Sequence, residues 1–264
     1  MTISYPTFSS QSLAALFTDM EVLSADLQVL ALPSCSLAVL DLHLLRPLLE
    51  QDQPSAALSS LLTPAELNIF HGFRYDKRRQ EWLGGRIAAK QAVQMMARAT
   101  KTPSLLFHGC SILPDEHGRP QVTPLPCGFP ASSVSISHSG GFAVALACPA
   151  GNCGVDIQQE NPTLLKVQER FASEEEQATF GPTLAPLTRL GLLWAAKEAV
   201  KKCLLADHSS FFGAIRLNSV RYEPREGLWT AHCNISLPHH GHATVRMGAM
   251  GEHLIACAMG ERHA

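Results

Sequence analysis

Gly154-Val155-Asp156-Ile157-Gln158 places one carboxylate inside an apolar strand, and Trp194-Ala195-Ala196-Lys197-Glu198-Ala199-Val200-Lys201-Lys202 sets a second between lysines on a helix. A carboxylate flanked by Val155 and Ile157 bears a desolvation cost unless it is paired, hydrogen-bonded or bound to a cation. Gln158 lies two residues on and shares the face of Asp156. On a helix, Trp194, Glu198, Lys201 and Leu205 fall along one side. Two readings stand for each segment. Asp156 either caps a turn at a strand end or joins Glu198 to hold a hard divalent cation, and the helix face is either solvated and charge-laced or directed at phosphate oxygens.

Working outward, the strand at 153–158 opens a second half of the chain after the break Pro149-Ala150-Gly151-Asn152. Helices are expected near Leu164–Phe171, Ser173–Phe180 (with Ser173 and Glu176 as a capping box) and Pro186–Leu205. Strands at Ala214–Tyr222, Leu228–Ile235, Ala243–Met247 and Leu254–Met259 finish the chain. The first half begins with a buried strand over Ser36–Leu42. Thr63-Pro64-Ala65-Glu66 has the form of a capping box with proline at the first helical position, and a longer helix follows over Asp76–Ala99. Gly84 and Gly85 inside that helix cost about 1 kcal/mol each relative to alanine, which calls for close approach by a ligand, another backbone or a packed side chain. Short strands are expected at Leu105–Cys110, Val134–Ser137 and Phe142–Cys148, with a turn at Asp115–Pro120. Residues 1–35 read as a weakly structured extension, 36–149 as an N-terminal half and 150–264 as a C-terminal half. Strand, helices and strands recur once in each half, yet no repeat of fixed period stands out. The class is α/β or α+β.

The 264 residues carry a net charge of −2 with 46% hydrophobic and 17% charged residues, so the chain is globular, and no global field favours nucleic acid or an anionic membrane. Any anion site must be local. The eight cysteines form no C-x-x-C pair. The N-terminal stretch holds Asp19 and Glu21 and shows neither a basic n-region nor an apolar run of membrane-spanning length. Reduced, packing thiols and a cytoplasmic location are therefore expected. Arg86 and Lys90 fall on one helix face as candidate anion ligands. Ser135-Ile136-Ser137-His138-Ser139-Gly140-Gly141 is a hydroxyl-rich strand end entering a glycine turn, whose N–H groups suit phosphate. No G-x-S-x-G, Walker A loop or H-E-x-x-H is present.

Together these segments resemble the 4'-phosphopantetheinyl transferases, specifically the surfactin-type subfamily. Ser137-His138-Ser139 is similar to its S-H-S strand end, Gly118-Arg119-Pro120 to its G-K-P turn and Gly154-Val155-Asp156 to its G-x-D. Arg170-Phe171-Ala172-Ser173 with Glu176 resembles the R-F-F-S-x-x-E run, and Trp194 to Lys201 is close to W-x-x-K-E-x-x-x-K. Thr63-Pro64 and Leu83-Gly84-Gly85-Arg86 with Lys90 resemble the family's first half, so the likeness runs from about residue 36 onward. It implies two similar α/β subdomains packed as an intramolecular pseudo-dimer, with coenzyme A in the cleft between them. It further implies a monomeric enzyme that moves the 4'-phosphopantetheine arm of coenzyme A onto a serine of an apo acyl or peptidyl carrier protein. Asp156, Gln158 and Glu198 would hold Mg2+. Glu198 and Lys201 would act in catalysis, and Arg86, Lys90, Arg119, Ser137 and His138 would hold the nucleotide. Many members have Glu where Gln158 stands, which leaves open a degenerate homologue that binds coenzyme A or a carrier without efficient transfer. Ser135 stands where the family often has Asn.

Overall fold

The computed structural model describes residues 10–49, 56–102, 106–125, 129, 132–205, 212–236 and 241–262. Residues 10–27 (α1, Ser10–Leu27) form a helix, against the expectation of a weakly structured extension. Leu16 and Met20 recur on one face and are buried in the first core, so burial of an apolar stripe outweighs the serine and threonine content. Strand β1 (Ser36–Asp41) follows, then the short helices α2 (Arg46–Leu49), α3 (Ala56–Leu61) and α4 (Pro64–His71) and the long helix α5 (Asp76–Ala99). The expected strand at 105–110 is instead a 3-10 turn over Phe107–Gly109, with Leu105 outside the described residues. The turn at 115–120 joins a hairpin, β2 (Ser111–Pro114) and β3 (Pro120–Thr123). Strands β4 (Ser133–Ser139) and β5 (Phe142–Cys148) close the first half.

Strand β6 (Asn152–Gln159) opens the second half and is followed by α6 (Thr163–Val167), α7 (Glu174–Ala178) and α8 (Pro186–Leu204). Four antiparallel strands complete it: β7 (Ile215–Glu223), β8 (Leu228–Ile235), β9 (Gly241–Met250) and β10 (His253–Arg262). The sheet orders are β1-β5-β4 and β6-β10-β9-β8-β7. The long helices α5 and α8 cover the outer faces, and the inner faces meet. Leu37, Val39, Val144 and Leu146 pack there against Val155, Ile157, Ile255 and Cys257. The mixed α/β class with two similar halves thus holds. No helix among the described residues is long and apolar enough to cross a membrane.

The duplication is also legible once the helices are laid side by side. Leu83-Gly84, Ala88-Ala89-Lys90 and Ala92-Val93 of α5 recur as Leu190-Gly191, Ala195-Ala196-Lys197 and Ala199-Val200 of α8, each 107 positions later. At Gly84 an added Cβ would run into the Leu42 side chain, and at Gly191 into Leu254. Close packing of the helix on its own half, rather than a ligand, therefore accounts for the two glycines.

Both helix lysines are buried under a capping-box glutamate. Glu66 caps α4 through Thr63, and its Oε2 accepts from Lys90 Nζ at 2.6 Å while its Oε1 accepts from Ile112 N at 2.9 Å. Glu176 caps α7 through Ser173 and bonds Lys197 Nζ at 2.8 and 3.0 Å, and its Oε1 accepts from Leu217 N at 3.1 Å. Each glutamate ties a capped helix, a long helix and the strand beyond into one joint.

The two halves are stitched along β4 and β6. Strand β6 is an edge of its sheet, and its outward N–H groups need acceptors. Ser133, Ser135 and Ser139 of β4 supply them, accepting from Cys153 N (3.2 Å), Val155 N (3.0 Å) and Gln159 N (3.2 Å). Ser135 therefore has a defined task where the family often has Asn.

Gly154 fixes how deeply α8 sits on β6. A Cβ there would collide with the Ala199 carbonyl and stand 2.8 Å from Cys203 N. The clash is with backbone and has no rotamer escape. Gly154→Ala is expected to lower the thermal midpoint by about 5 °C or more, and a melting curve matching the wild type would show that α8 is not held by this contact.

The expectation that all thiols are reduced fails at one place. Ser36 pairs with Ala147 in the β1–β5 register, and just beyond it Cys35 and Cys148 are joined in a disulfide. Cys110, Cys153, Cys203, Cys233 and Cys257 are buried and outside that disulfide, as packing residues should be. Burial pushes the Cys153 thiol up to about 11 and that of Cys233 to about 12, so neither is a nucleophile at neutral pH.

Candidate active site

Asp156 and Glu198 come together from β6 and α8. Asp156 is 6% exposed, and its Oδ1 accepts from Ser137 Oγ at 2.7 Å and Lys202 Nζ at 2.7 Å. Among the described residues neither bond is made to Oδ2, which leaves that oxygen for a further partner. Burial pushes the Glu198 carboxyl above its usual range and nearby Asp156 adds to the rise, while Lys201 and Lys202 oppose it. The Lys201 ammonium stands 3.9 Å from Glu198. Gln158 is also on this face of β6, and its Nε2 donates to Gln159 O at 2.7 Å.

The lysine that reaches Asp156 is Lys202, which sequence reasoning passed over in favour of Lys201. Its ammonium also donates to Val155 O at 3.0 Å. The signal was available: three residues between the glutamate and the final lysine of W-x-x-K-E-x-x-x-K lead from Glu198 to Lys202. Successive helix positions differ by about 100° in direction, so the one-residue shift selects a different side of α8.

A cavity of about 620 Å³ adjoins this group, lined among others by Arg119, Ser133, Ser135, Asn152, Cys203 and Lys202. Lys202 thus belongs both to the cavity wall and to the Asp156 carboxylate. Ser132 Oγ, another lining atom, is buried with no hydrogen-bond partner among the described residues. The Gly118-Arg119-Pro120 turn is held over the cavity by Asp115, whose carboxylate accepts from His117 N and Arg119 N, both at 2.9 Å. Burial pushes the Asp115 carboxyl up, but these two bonds, with Gln121 and the charge of His117, together outweigh it and hold the carboxyl below its usual range.

His138 follows Ser137 on β4, its Nδ1 3.7 Å from Glu81. Burial lowers its pKa, Glu81 opposes that, and Arg78, Lys202 and Lys77 add to the lowering. The imidazole thus lies between the Glu81 carboxylate on one side and the Arg78, Lys202 and Lys77 cations on the other.

Two of the expected nucleotide ligands are not brought here. Lys90 is 1% exposed, and its ammonium donates to Glu66, to Leu61 O at 2.9 Å and to Phe107 O at 2.6 Å. All three donors of the ammonium are thus occupied, which corrects its reading as a phosphate ligand. Arg86 donates from Nε to Ile112 O at 2.9 Å and stacks on Trp82 with 4.7 Å to the ring centroid. Burial pulls its pKa down to about 10, so it remains charged, but it is not on the cavity wall. What made both look like ligands, a common helix face, is the face turned to the first core.

A second hollow of about 1040 Å³ lies on the exposed side of β7–β9. Arg221 and Arg246 on its wall are matched by Glu223 and Glu261, so it has no net pull on an anion. The smaller cavity, with Arg119 and Lys202, does.

Residues 74–148 match the 4'-phosphopantetheinyl transferase N-terminal domain, and residues 152–257 match the 4'-phosphopantetheinyl transferase superfamily. The chain belongs to the 4'-phosphopantetheinyl transferase superfamily. Similar curated proteins include a holo-[acyl-carrier-protein] synthase of Streptococcus agalactiae, 42% identical over 85 residues that make up 32% of this chain and 70% of that protein. Another, from Geobacillus kaustophilus, is 35% identical over 107 residues, 40% of this chain and 80% of that protein. A solved holo-(acyl-carrier-protein) synthase from Bacillus anthracis in complex with coenzyme A (3',5'-ADP) is 26% identical, spans 43% of this chain and 91% of its own, and has a TM-score of 0.35. Both family matches meet at the turn between β5 and β6, beside the cavity.

Proposed function

We propose that this protein transfers the 4'-phosphopantetheine arm of coenzyme A to a serine of an apo acyl or peptidyl carrier protein and releases adenosine 3',5'-bisphosphate. The observation that carries this reading is the meeting of Asp156, Glu198 and Lys202 beside a cavity whose wall includes Arg119 and Lys202, inside a chain whose two halves both match the family. The serine oxygen attacks the pantetheine-side phosphorus of the diphosphate. A new P–O bond forms, the bridging P–O bond breaks with its electron pair going to adenosine bisphosphate, and the serine proton leaves to a base. Such transfer depends chiefly on positioning and charge stabilisation.

The donors suit Mg2+. Two carboxylates and an amide oxygen are hard ligands, and Mg2+ is commonly held by one or two carboxylates together with substrate phosphates. Asp156 and Glu198 would hold the ion, with Gln158 offering its amide oxygen. When bound, Mg2+ would neutralise charge on the diphosphate. Glu198, its carboxyl raised by burial, is the base within the group that takes the serine proton directly or through water. Lys202, bonded to Asp156 and on the cavity wall, offers its ammonium to the phosphate charge, and Lys201, the residue before it and 3.9 Å from Glu198, supports the same charge. Arg119, Ser137 and His138 bind and orient the nucleotide phosphates. Two halves in one chain, as in the surfactin type, would let a monomer build the cleft. A cytoplasmic location follows from coenzyme A as co-substrate, and the Cys35–Cys148 bond is the feature that opposes it.

A second reading, binding of coenzyme A or a carrier without transfer, has Gln158 and the Lys202–Asp156 bond in its favour. Incubation with Mg2+, coenzyme A and a panel of apo carriers separates the two by intact mass. Transfer predicts a gain of one phosphopantetheine arm on at least one carrier. No gain on any carrier, with coenzyme A still bound and Gln158→Glu equally inert, selects the second reading.

A further inference from the structure

We propose that the buried Glu176–Lys197 pair is a positioning device for Glu198, and that its twin in the first half, Glu66–Lys90, is a structural joint with no such task; this rests on the metal reading of Asp156 and Glu198 above. Lys197 is 2% exposed and Glu176 4%, so the pair is almost wholly buried. Its geometry fixes α8 in rotation. Lys197 Nζ bonds both carboxylate oxygens of Glu176, which in turn holds Ser173 N at the start of α7 and Leu217 N on β7. The next residue of α8 is Glu198. If α8 turned by about 20°, a side-chain tip about 6 Å from the axis would move by about 2 Å. Mg2+ demands near-ideal octahedral geometry with oxygens at about 2.0–2.1 Å, so a shift of that size takes Glu198 out of a shared site with Asp156.

The twin supplies the comparison. Glu66 and Lys90 make the same joint between α4, α5 and β2, yet the residue after Lys90 is Gln91, buried at 2%, and strand β1 presents Ala38 and Leu40 to α5 instead of carboxylates. The joint therefore exists where no metal chemistry exists, as part of the duplicated fold. Only in the second half does a carboxylate stand beside it.

The test compares Glu176→Gln with Glu66→Gln, reading Mn2+ affinity by electron paramagnetic resonance with and without coenzyme A, together with melting temperature. Both variants should lose thermal stability to a similar extent. Glu176→Gln should weaken Mn2+ about 10- to 100-fold, the range for partners that orient metal ligands, whereas Glu66→Gln should leave it within about twofold. Should Glu176→Gln fail to fold, Glu176→Asp keeps the charge on an arm one methylene shorter and is expected to bind Mn2+ several-fold more weakly. Wild-type Mn2+ affinity in a folded Glu176 variant, or equal weakening by Glu66→Gln, overturns the positioning role alone. A wild-type protein that binds no Mn2+ in either condition overturns the metal reading and this inference with it.

Discussion

Asp156→Asn should cut carrier modification by about a thousandfold while leaving the fold almost intact. A bound divalent ion contributes several kcal/mol of charge stabilisation in such chemistry, and about 4 kcal/mol corresponds to three orders of magnitude in rate. The side chain itself is well matched to the substitution. Asn keeps an oxygen that accepts from Ser137 Oγ and Lys202 Nζ, so the two 2.7 Å bonds survive in weakened form. What disappears is the negative charge, and with it the partner of a cation beside Glu198. Asp156→Ala would confuse the matter, since it leaves the Lys202 ammonium without its carboxylate in a half-buried place. The assay is intact-mass transfer to an apo carrier at saturating Mg2+, with a melting curve beside it. Retention of more than a tenth of wild-type rate by a folded Asp156→Asn protein would sink the assignment of Asp156 as a metal ligand.

Much of the frame was readable because it depends on local rules. Both capping boxes, the long helices and most strands announce themselves by residue spacing, and the structure places them within a few residues of the expected bounds. The hairpin β2–β3 was harder to see, since its strands are four residues long and begin or end in proline. The first helix was missed for a different reason. Its serines and threonine were weighed as composition, although Leu16, Met20 and Leu27 mark a buried side.

At the site, the sequence identified Asp156 and Glu198 but could not join them, because a strand and a helix 42 positions apart meet only through tertiary packing. Gly154 is the residue that lets α8 approach, and its meaning is invisible until the Ala199 carbonyl is in place. The choice between Lys201 and Lys202 turns on helix rotation, which the Glu176–Lys197 joint sets from outside α8. Cross-strand register explains the disulfide likewise. Cys35 and Cys148 are 113 positions apart, and only the β1–β5 pairing brings them together.

Lys90→Met should show the converse of Asp156→Asn: a large loss of stability with the chemistry preserved. Removing one partner of a buried ion pair typically costs about 3–5 kcal/mol, because the other charge is left behind. Here Glu66 would keep its bonds from Thr63 N and Ile112 N but lose the 2.6 Å bond from the ammonium at 0% exposure. Leu61 O and Phe107 O would each lose a donor as well. A fall in melting temperature of about 10 °C is expected for a chain of this size. Methionine fills most of the lysine's volume, so a cavity adds little to the loss. At a temperature where the variant is folded, its KM for coenzyme A should match the wild type within about twofold, since Lys90 does not line the cavity. A tenfold rise in that KM with an unchanged melting curve would return Lys90 to the phosphate-binding set and would mean that α5, not only β4 and the Gly118–Pro120 turn, reaches the nucleotide.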